Sequence, residues 1–262
     1  MKEHEPRTVF YEDETTDDFA GVEREKFTVP ENWVYNRKGL PWRAAAFVAY
    51  RVIMTPVAYF YCKLKLGMTV KDLRTARPKR DEGCFLFSNH TMLVGDAFAP
   101  SVAMFPKKVY VVVGGENLAT KGTRTFLQAV GALPVPESFS GMKKFIAAVD
   151  ERISEGHCVT VYPEAHVWPY FVGIRPFSQK SFRFPVKNGA AVFVSTTTYR
   201  KRRHGKKPKV TLFLDGPFYA GKTLPPKEAE KELRDRVFAT MKERAKNSDY
   251  EFIRYRKKDS VE

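Results

Sequence analysis

The stretch Ser88–Pro100, SNHTMLVGDAFAP, decides how this chain is read. It follows a short apolar run, Cys84-Phe85-Leu86-Phe87, whose length and residue types predict a buried strand. His90 stands where that strand ends, and Asp96 follows with five residues between, just after Gly95. A carboxylate about one helical turn beyond a histidine can accept from one ring nitrogen and leave the other free to take a proton. Such a pairing arises by accident in many chains, so its weight depends on what surrounds it.

Outward from this stretch the pattern alternates between two periods. Predicted strands are Cys84–Ser88, Lys108–Val113, Cys158–Tyr162, Val192–Thr198 and Val210–Asp215. Met142, Phe145, Ile146, Val149 and Ile153 recur at helical spacing, with Ser138 or Ser140 as the cap and Gly156 closing the helix. A second helix, Lys227 to Ala245, places Ala229, Leu233, Val237 and Met241 on one face. Strand–helix alternation predicts an α/β domain over residues 81–246, a mixed central sheet flanked by helices.

Residues 31–80 read differently. The run PWRAAAFVAYRVIMTPVAYFYC, 41–62, is the most apolar stretch of the chain, and Pro41 suits a helix start. Arg43, Arg51 and Pro56 argue against a simple span, because a charge near the bilayer centre costs a few kcal/mol at least. A broken or interfacial helix with its apolar side in a membrane surface is the preferred reading; a buried core helix is the other. Lys63, Lys65, Lys71, Arg74, Arg77, Lys79 and Arg80 follow closely, as suits an anionic leaflet.

Charge is unevenly spread. The chain carries +15 overall, but residues 1–25 hold nine acids against three bases, so the body is more basic still. A basic body points to a polyanionic partner: nucleic acid, an anionic membrane face or phosphorylated small molecules. Residues 1–30 predict an acidic arm, poorly ordered or draped over the surface, and its acids do not read as a signal peptide. Residues 247–262 read as a basic tail that is a loose end. Cys62, Cys84 and Cys158 form neither a paired framework nor a metal-type spacing, which predicts reduced thiols, a protein facing the cytosol and no metal site.

Four blocks therefore stand in order: Asn89-His90…Asp96; Gly114 to Pro136, GGENLATKGTRTFLQAVGALPVP; Val161 to Tyr170, VYPEAHVWPY; and Ala191 to Tyr199, AVFVSTTTY. In this order and spacing, over about residues 40–245, the chain resembles the glycerolipid acyltransferases, the family that includes 1-acylglycerol-3-phosphate acyltransferases. The first and third blocks are the specific part. The resemblance implies transfer of a fatty acyl group from an acyl thioester, on coenzyme A or acyl carrier protein, to a glycerolipid hydroxyl such as that of lysophosphatidic acid, in phospholipid biosynthesis. His90 would be the general base and Asp96 its orienting acid, with no covalent acyl-enzyme and no cofactor. Consistently, no GxSxG elbow is present. Backbone N–H groups near the helix start after His90 would stabilise the oxyanion. Lys121 and Arg124 of the second block are the candidates for the acceptor phosphate, and a solvated loop face is the alternative for both. Glu164 matches the family's Pro-Glu pair, positioning either the acceptor or the catalytic groups.

Two departures stand out. The family's first motif has four residues between His and Asp, where this chain has five. Its third motif continues Gly-Thr-Arg, where this chain reads Ala165-His166-Val167. Arg175, Lys180 or Arg183, just downstream, is then the expected substitute for the missing phosphate-binding arginine. Trp168, Tyr170 and Phe171 place bulk where an acyl chain or the interface would lie. His157 and His166 read as structural or surface groups, and the basic run Lys201 to Lys209 as an exposed hairpin loop or a contact for anionic headgroups.

The partners expected are an anionic membrane surface, the lysophospholipid acceptor and the acyl donor. The place expected is the cytoplasmic face of the cell membrane, peripheral or monotopic. A thioesterase or lipid hydrolase in which His90 activates water is the rival enzyme. A nucleic-acid-binding module is the non-enzymatic rival, but no zinc finger, stacking motif or helix-turn-helix pattern accompanies the charge.

Overall fold

β3, Cys84–Ser88, has all five residues buried in the computed structural model, which describes residues 5–21, 27–73 and 78–258. Phe85 and Phe87 enter one apolar cluster, and Cys84 and Leu86 enter the other. A strand covered on both faces reads as an unbroken apolar run, which is why Cys84–Phe87 shows no alternation. Seven strands form the sheet, in the order β2 (Thr69–Lys71), β8 (Lys209–Phe218), β7 (Ala191–Arg200), β3, β6 (Cys158–Val161), β4 (Val109–Val113) and β5 (Ala132–Pro134). The block from β7 to β5 is parallel throughout. β8 runs antiparallel to β7, and β2 runs parallel to β8, so the sheet is mixed as expected.

Helices cover both faces. On one lie α5 (Phe139–Ser154), α6 (Arg183–Asn188) and α7 (Pro226–Ala245). The Ser138 hydroxyl accepts from the Gly141 N–H at 3.1 Å, the cap foreseen for α5. Ala229, Leu233, Val237 and Met241 of α7 are all buried. On the other face lie α3 (Gly95–Ala103) and a long apolar helix built from α1 (Leu40–Phe47) and α2 (Thr55–Phe60). α4 (Arg124–Ala129) packs beside β5.

The apolar helix is not broken. It runs unbroken from Leu40 to Lys65, 26 residues, with wide π turns at Val48–Met54 and Tyr61–Lys65. A proline inside an ordinary α-helix clashes with the carbonyl four residues earlier. Here Pro56 follows directly on a π turn, where the carbonyls are already out of that register. The Thr55 hydroxyl donates to the Tyr50 carbonyl at 2.8 Å inside the same turn. Ala46, Tyr50, Ala58 and Cys62 are buried along one stripe, whereas Val48, Val52, Phe60 and Leu64 stand exposed along another. Only 22% of the most apolar 18-residue window of this helix is buried, less than a core helix would show. Arg74 and Arg77 of the following basic linker lie outside the described residues.

Both ends of the described chain are ordered into structure. β1 (Arg7–Tyr11) pairs in parallel with β9 (Ile253–Lys257), a two-stranded sheet apart from the main one. The loose-end reading of the tail is thereby corrected: Tyr255 of β9 stacks on Trp168, with ring centroids 4.8 Å apart. The arm is draped rather than free over residues 5–21, and Lys2, Glu3, Glu23, Arg24 and Glu25 lie outside the described residues.

Where the sheet meets the loops at its amino-terminal edge, the Lys107 ammonium, 5% exposed, donates to the carbonyls of Arg80, Glu82 and Gly156. Beside it, burial and nearby cations hold His157 down at about 4, against an ordinary 6.5. Between those pH values the unfolded chain takes up a proton that the native His157 refuses, so stability falls as pH drops through this window. His157→Gln is expected to flatten the dependence of Tm on pH between about 6.5 and 4, read by thermal melts across that range.

Candidate active site

His90, Glu164 and the loop carrying Lys121 and Arg124 follow the carboxyl ends of β3, β6 and β4, so all lie at one end of the sheet. Open parallel sheets present their ligand sites at that end. The residue after β3 fastens the site to the sheet. Asn89 donates to the Thr197 carbonyl at 3.1 Å and accepts from the Thr197 N–H at 2.8 Å, extending the β3–β7 ladder by one side chain.

His90 Nδ1 lies 2.7 Å from Asp96 Oδ2, and the same oxygen accepts from the Met92 N–H at 2.9 Å. The five-residue spacing therefore leaves the pair intact. Residues 93–94 form a turn that carries the extra residue outward, and both Leu93 and Val94 are about half exposed, at 51% and 49%. Gly95 serves by its small size and not by a left-handed backbone. A Cβ there would stand 2.8 Å from the Met92 sulfur and 3.0 Å from Leu66. Burial raises the Asp96 carboxyl above its ordinary value, and the bonds from His90 and Met92 oppose that rise. The His90 ring keeps 19% of its surface open, against 5% for Asp96, so the imidazole is the reachable partner. Tyr162 stacks on that ring with centroids 4.4 Å apart, and its hydroxyl donates to the Asp96 carbonyl at 2.5 Å. Tyr162 was not singled out from the sequence; its place directly before Pro163-Glu164 was the available signal.

Glu164 sits beneath this pair with none of its side chain exposed. It accepts from the His90 N–H at 3.2 Å, from the Arg175 N–H at 3.2 Å and from the Arg175 guanidinium at 3.2 Å. Burial pushes its carboxyl up, while Arg175 and the two backbone donors pull the other way. Arg175, 1% exposed, also reaches the carbonyls of His166 and Glu14 and lies over the Trp168 ring. Neither Glu164 nor Arg175 is open to an acceptor. Both brace the loop that carries His90, and the expectation that Arg175 substitutes for a phosphate-binding arginine does not fit its burial. Ala165, which stands where the family has glycine, adopts φ +64°, a left-handed conformation that costs an L-residue roughly 1 kcal/mol.

The remaining candidates divide. Arg124 donates to the carbonyls of Leu118 and Ala119 and covers the Phe27 ring at 4.0 Å, so much of its fork is spent locally. Lys121 is exposed at the tip of its loop, and so are Lys180 and Arg183. Trp168 is not an exposed acyl contact but is 1% exposed, packed among Tyr11, Phe19 and Tyr255. The arm reaches it too: Trp168 Nε1 donates to the Asp17 carbonyl at 2.7 Å. The run 201–208 joins β7 to β8 as a hairpin at the same end of the sheet, and Arg202 donates to the Lys65 carbonyl at 2.8 Å.

A partly open imidazole, paired from behind with a buried carboxylate at the carboxyl end of a central strand, is an arrangement that can serve general-base chemistry. A family model described as Acyltransferase matches residues 68–216, more than half of the chain, and the chain belongs to that family: it is an acyltransferase. Among solved structures it is similar to the 1-acyl-sn-glycerophosphate (LPA) acyltransferase PlsC from Thermotoga maritima, with 14% identity and a TM-score of 0.50, over 80% of this chain and 95% of that one. At that identity the likeness concerns the fold. Among curated proteins, none matches the chain significantly.

Removing one member of a buried ion pair strands the other charge, at a cost of about 3 kcal/mol or more. Glu164→Gln is accordingly expected to lower Tm and loosen His90, whereas Ala165→Gly is expected to raise stability slightly. Thermal melts of the two variants, with the His90 imidazole proton shifts followed by NMR, check both outcomes.

Proposed function

We propose that this acyltransferase moves a fatty acyl group from an acyl thioester to the hydroxyl of a glycerolipid such as lysophosphatidic acid, serving phospholipid biosynthesis at a membrane surface. The 2.7 Å His90–Asp96 pair carries the reading. An alcohol is a poor nucleophile at neutral pH. His90 Nε2, the nitrogen not turned to Asp96, takes the hydroxyl proton as the oxygen attacks the thioester carbonyl. Asp96 steadies the imidazolium that forms. Backbone N–H groups at the start of α3 meet the oxyanion. Collapse of the tetrahedral intermediate expels the thiolate of coenzyme A or acyl carrier protein, and the proton held by His90 goes to that sulfur. The acceptor phosphate would meet Lys121, with Arg124, Lys180 and Arg183 as the other basic groups of this region.

Exposed Leu93 and Val94 beside His90, together with the outward apolar stripe of the Leu40–Lys65 helix, support work at a lipid surface. The basic flanks Lys63 and Lys65 and the hairpin 201–208 favour an anionic leaflet, with the protein peripheral or monotopic on the cytoplasmic side.

His90→Ala is expected to cut acyl transfer from acyl-CoA to lysophosphatidic acid by at least about a hundredfold with the folded state retained, measured by mass spectrometry of the diacyl product and by circular dichroism. Thioester cleavage that is indifferent to the presence of any lysolipid would sink the transferase assignment of substrate. Val52→Glu combined with Phe60→Glu, both on the exposed stripe, is expected to reduce flotation with anionic liposomes several-fold while leaving the fold intact.

A further inference from the structure

At the opposite end of the sheet, by the amino-terminal ends of β4 and β6, lies an open groove of about 780 Å³ between the apolar helix and the end of α5. It is a strand's length from His90, roughly 15 Å, and takes no part in the chemistry above. Six basic side chains line it against two acids. Both acids are engaged: Glu155 pairs with Arg152 and lies 3.5 Å from His157, and Glu151 accepts from Asn36.

Arg152 takes up Glu155, and Arg51 donates to the Pro106 carbonyl, so charge is left over among the cations. Among the described residues, none gives Lys108, Arg43 or Arg51 an ion pair. Lys108 Nζ lies 5.4 Å from the centre of the Tyr50 ring and 4.9 Å from that of Tyr110, held by aromatic faces in place of an acceptor. Buried Arg152 Nε has no hydrogen-bond partner. Burial, with Arg152 and Arg51 nearby, brings the Lys108 ammonium down to about 8. A half-buried cluster of one sign, with an orphaned guanidinium N–H, is stabilised by an anion that bridges it. Phe47, 62% exposed, lines the same groove and belongs to the outward apolar side of the helix.

We infer that this groove is a second anion site, built for a phosphate ester and distinct from the catalytic end of the sheet. The adjoining Phe47 side favours the headgroup of an anionic phospholipid, whose chains would run along the apolar helix. Phosphates of a soluble molecule such as coenzyme A offer the same chemistry, and the test separates the two sources.

The full-length protein is labelled at pH 8 with an amine-reactive acetylating ester. Acetylation of Lys108 is followed by peptide mass spectrometry, with exposed Lys231 as the control. Dihexanoyl phosphatidic acid below its micellar concentration is expected to slow Lys108 labelling about fivefold or more and to leave Lys231 unchanged. Dihexanoyl phosphatidylcholine should protect far less. Arg43→Gln, an exposed position that leaves the core untouched, is expected to raise the half-protecting concentration about fivefold. Protection by the lipid alone assigns a headgroup; equal protection by coenzyme A or inorganic phosphate assigns a soluble phosphate. Lys108 labelling indifferent to all three, or protection equal in wild type and Arg43→Gln, overturns the site. The readout involves no turnover, so it stands or falls independently of the acyl-transfer reading.

Discussion

The loops at the carboxyl end of the sheet hang on one carboxylate that never touches solvent. Glu164 takes the His90 N–H from the strand side and the Arg175 main chain and guanidinium from the loop side. Burying such a charge is costly unless its lone pairs are filled, and here three donors fill them. The result is a fixed relation between two loops that follow neighbouring parallel strands. Trp168 and Tyr170 also donate their backbone N–H groups to the carbonyls of His90 and Thr91, so the start of the His90 loop is gripped from the main chain as well. The imidazole can then pair with Asp96 without searching for it.

The fold was legible wherever one physical rule governed a whole element. The unbroken run Cys84–Phe87 announced a strand covered on both faces, and the spacing of Ala229, Leu233, Val237 and Met241 announced the face that α7 buries. Within the candidate site, the His90–Asp96 pairing was readable because the two residues lie close in sequence. Glu164 was readable as a residue but not as a role, since its partners come from segments 74 residues upstream and 11 downstream. Arg175 shows the limit: its charge suggested a phosphate ligand, but only the packing of the arm and Trp168 reveals a guanidinium sealed from solvent. The β1–β9 pairing was invisible because two short strands remote in sequence carry no local sign of each other.

The apolar helix resolves a conflict that the sequence left open. A helix apolar on all sides normally sits in a core, yet here small residues and Tyr50 face the sheet while Val48, Val52, Phe60 and Leu64 face outward. Its π turns shift which side chains share a stripe and let Pro56 remain inside a continuous rod. That rod passes from the basic groove at one end of the sheet to Leu66 and Gly95 beside the His90–Asp96 turn at the other.

The strap made by β1 and β9 also sets an order of events. Arg7 waits for Ile253, so this contact is among the most distant in the chain and its closure entropy is met late. During synthesis the amino-terminal segment emerges from the ribosome long before its partner strand exists, and Trp168 and Arg175 lack their final cover until then. A nascent chain would thus leave Trp168 and Arg175 partly uncovered until β9 has been made and has found β1.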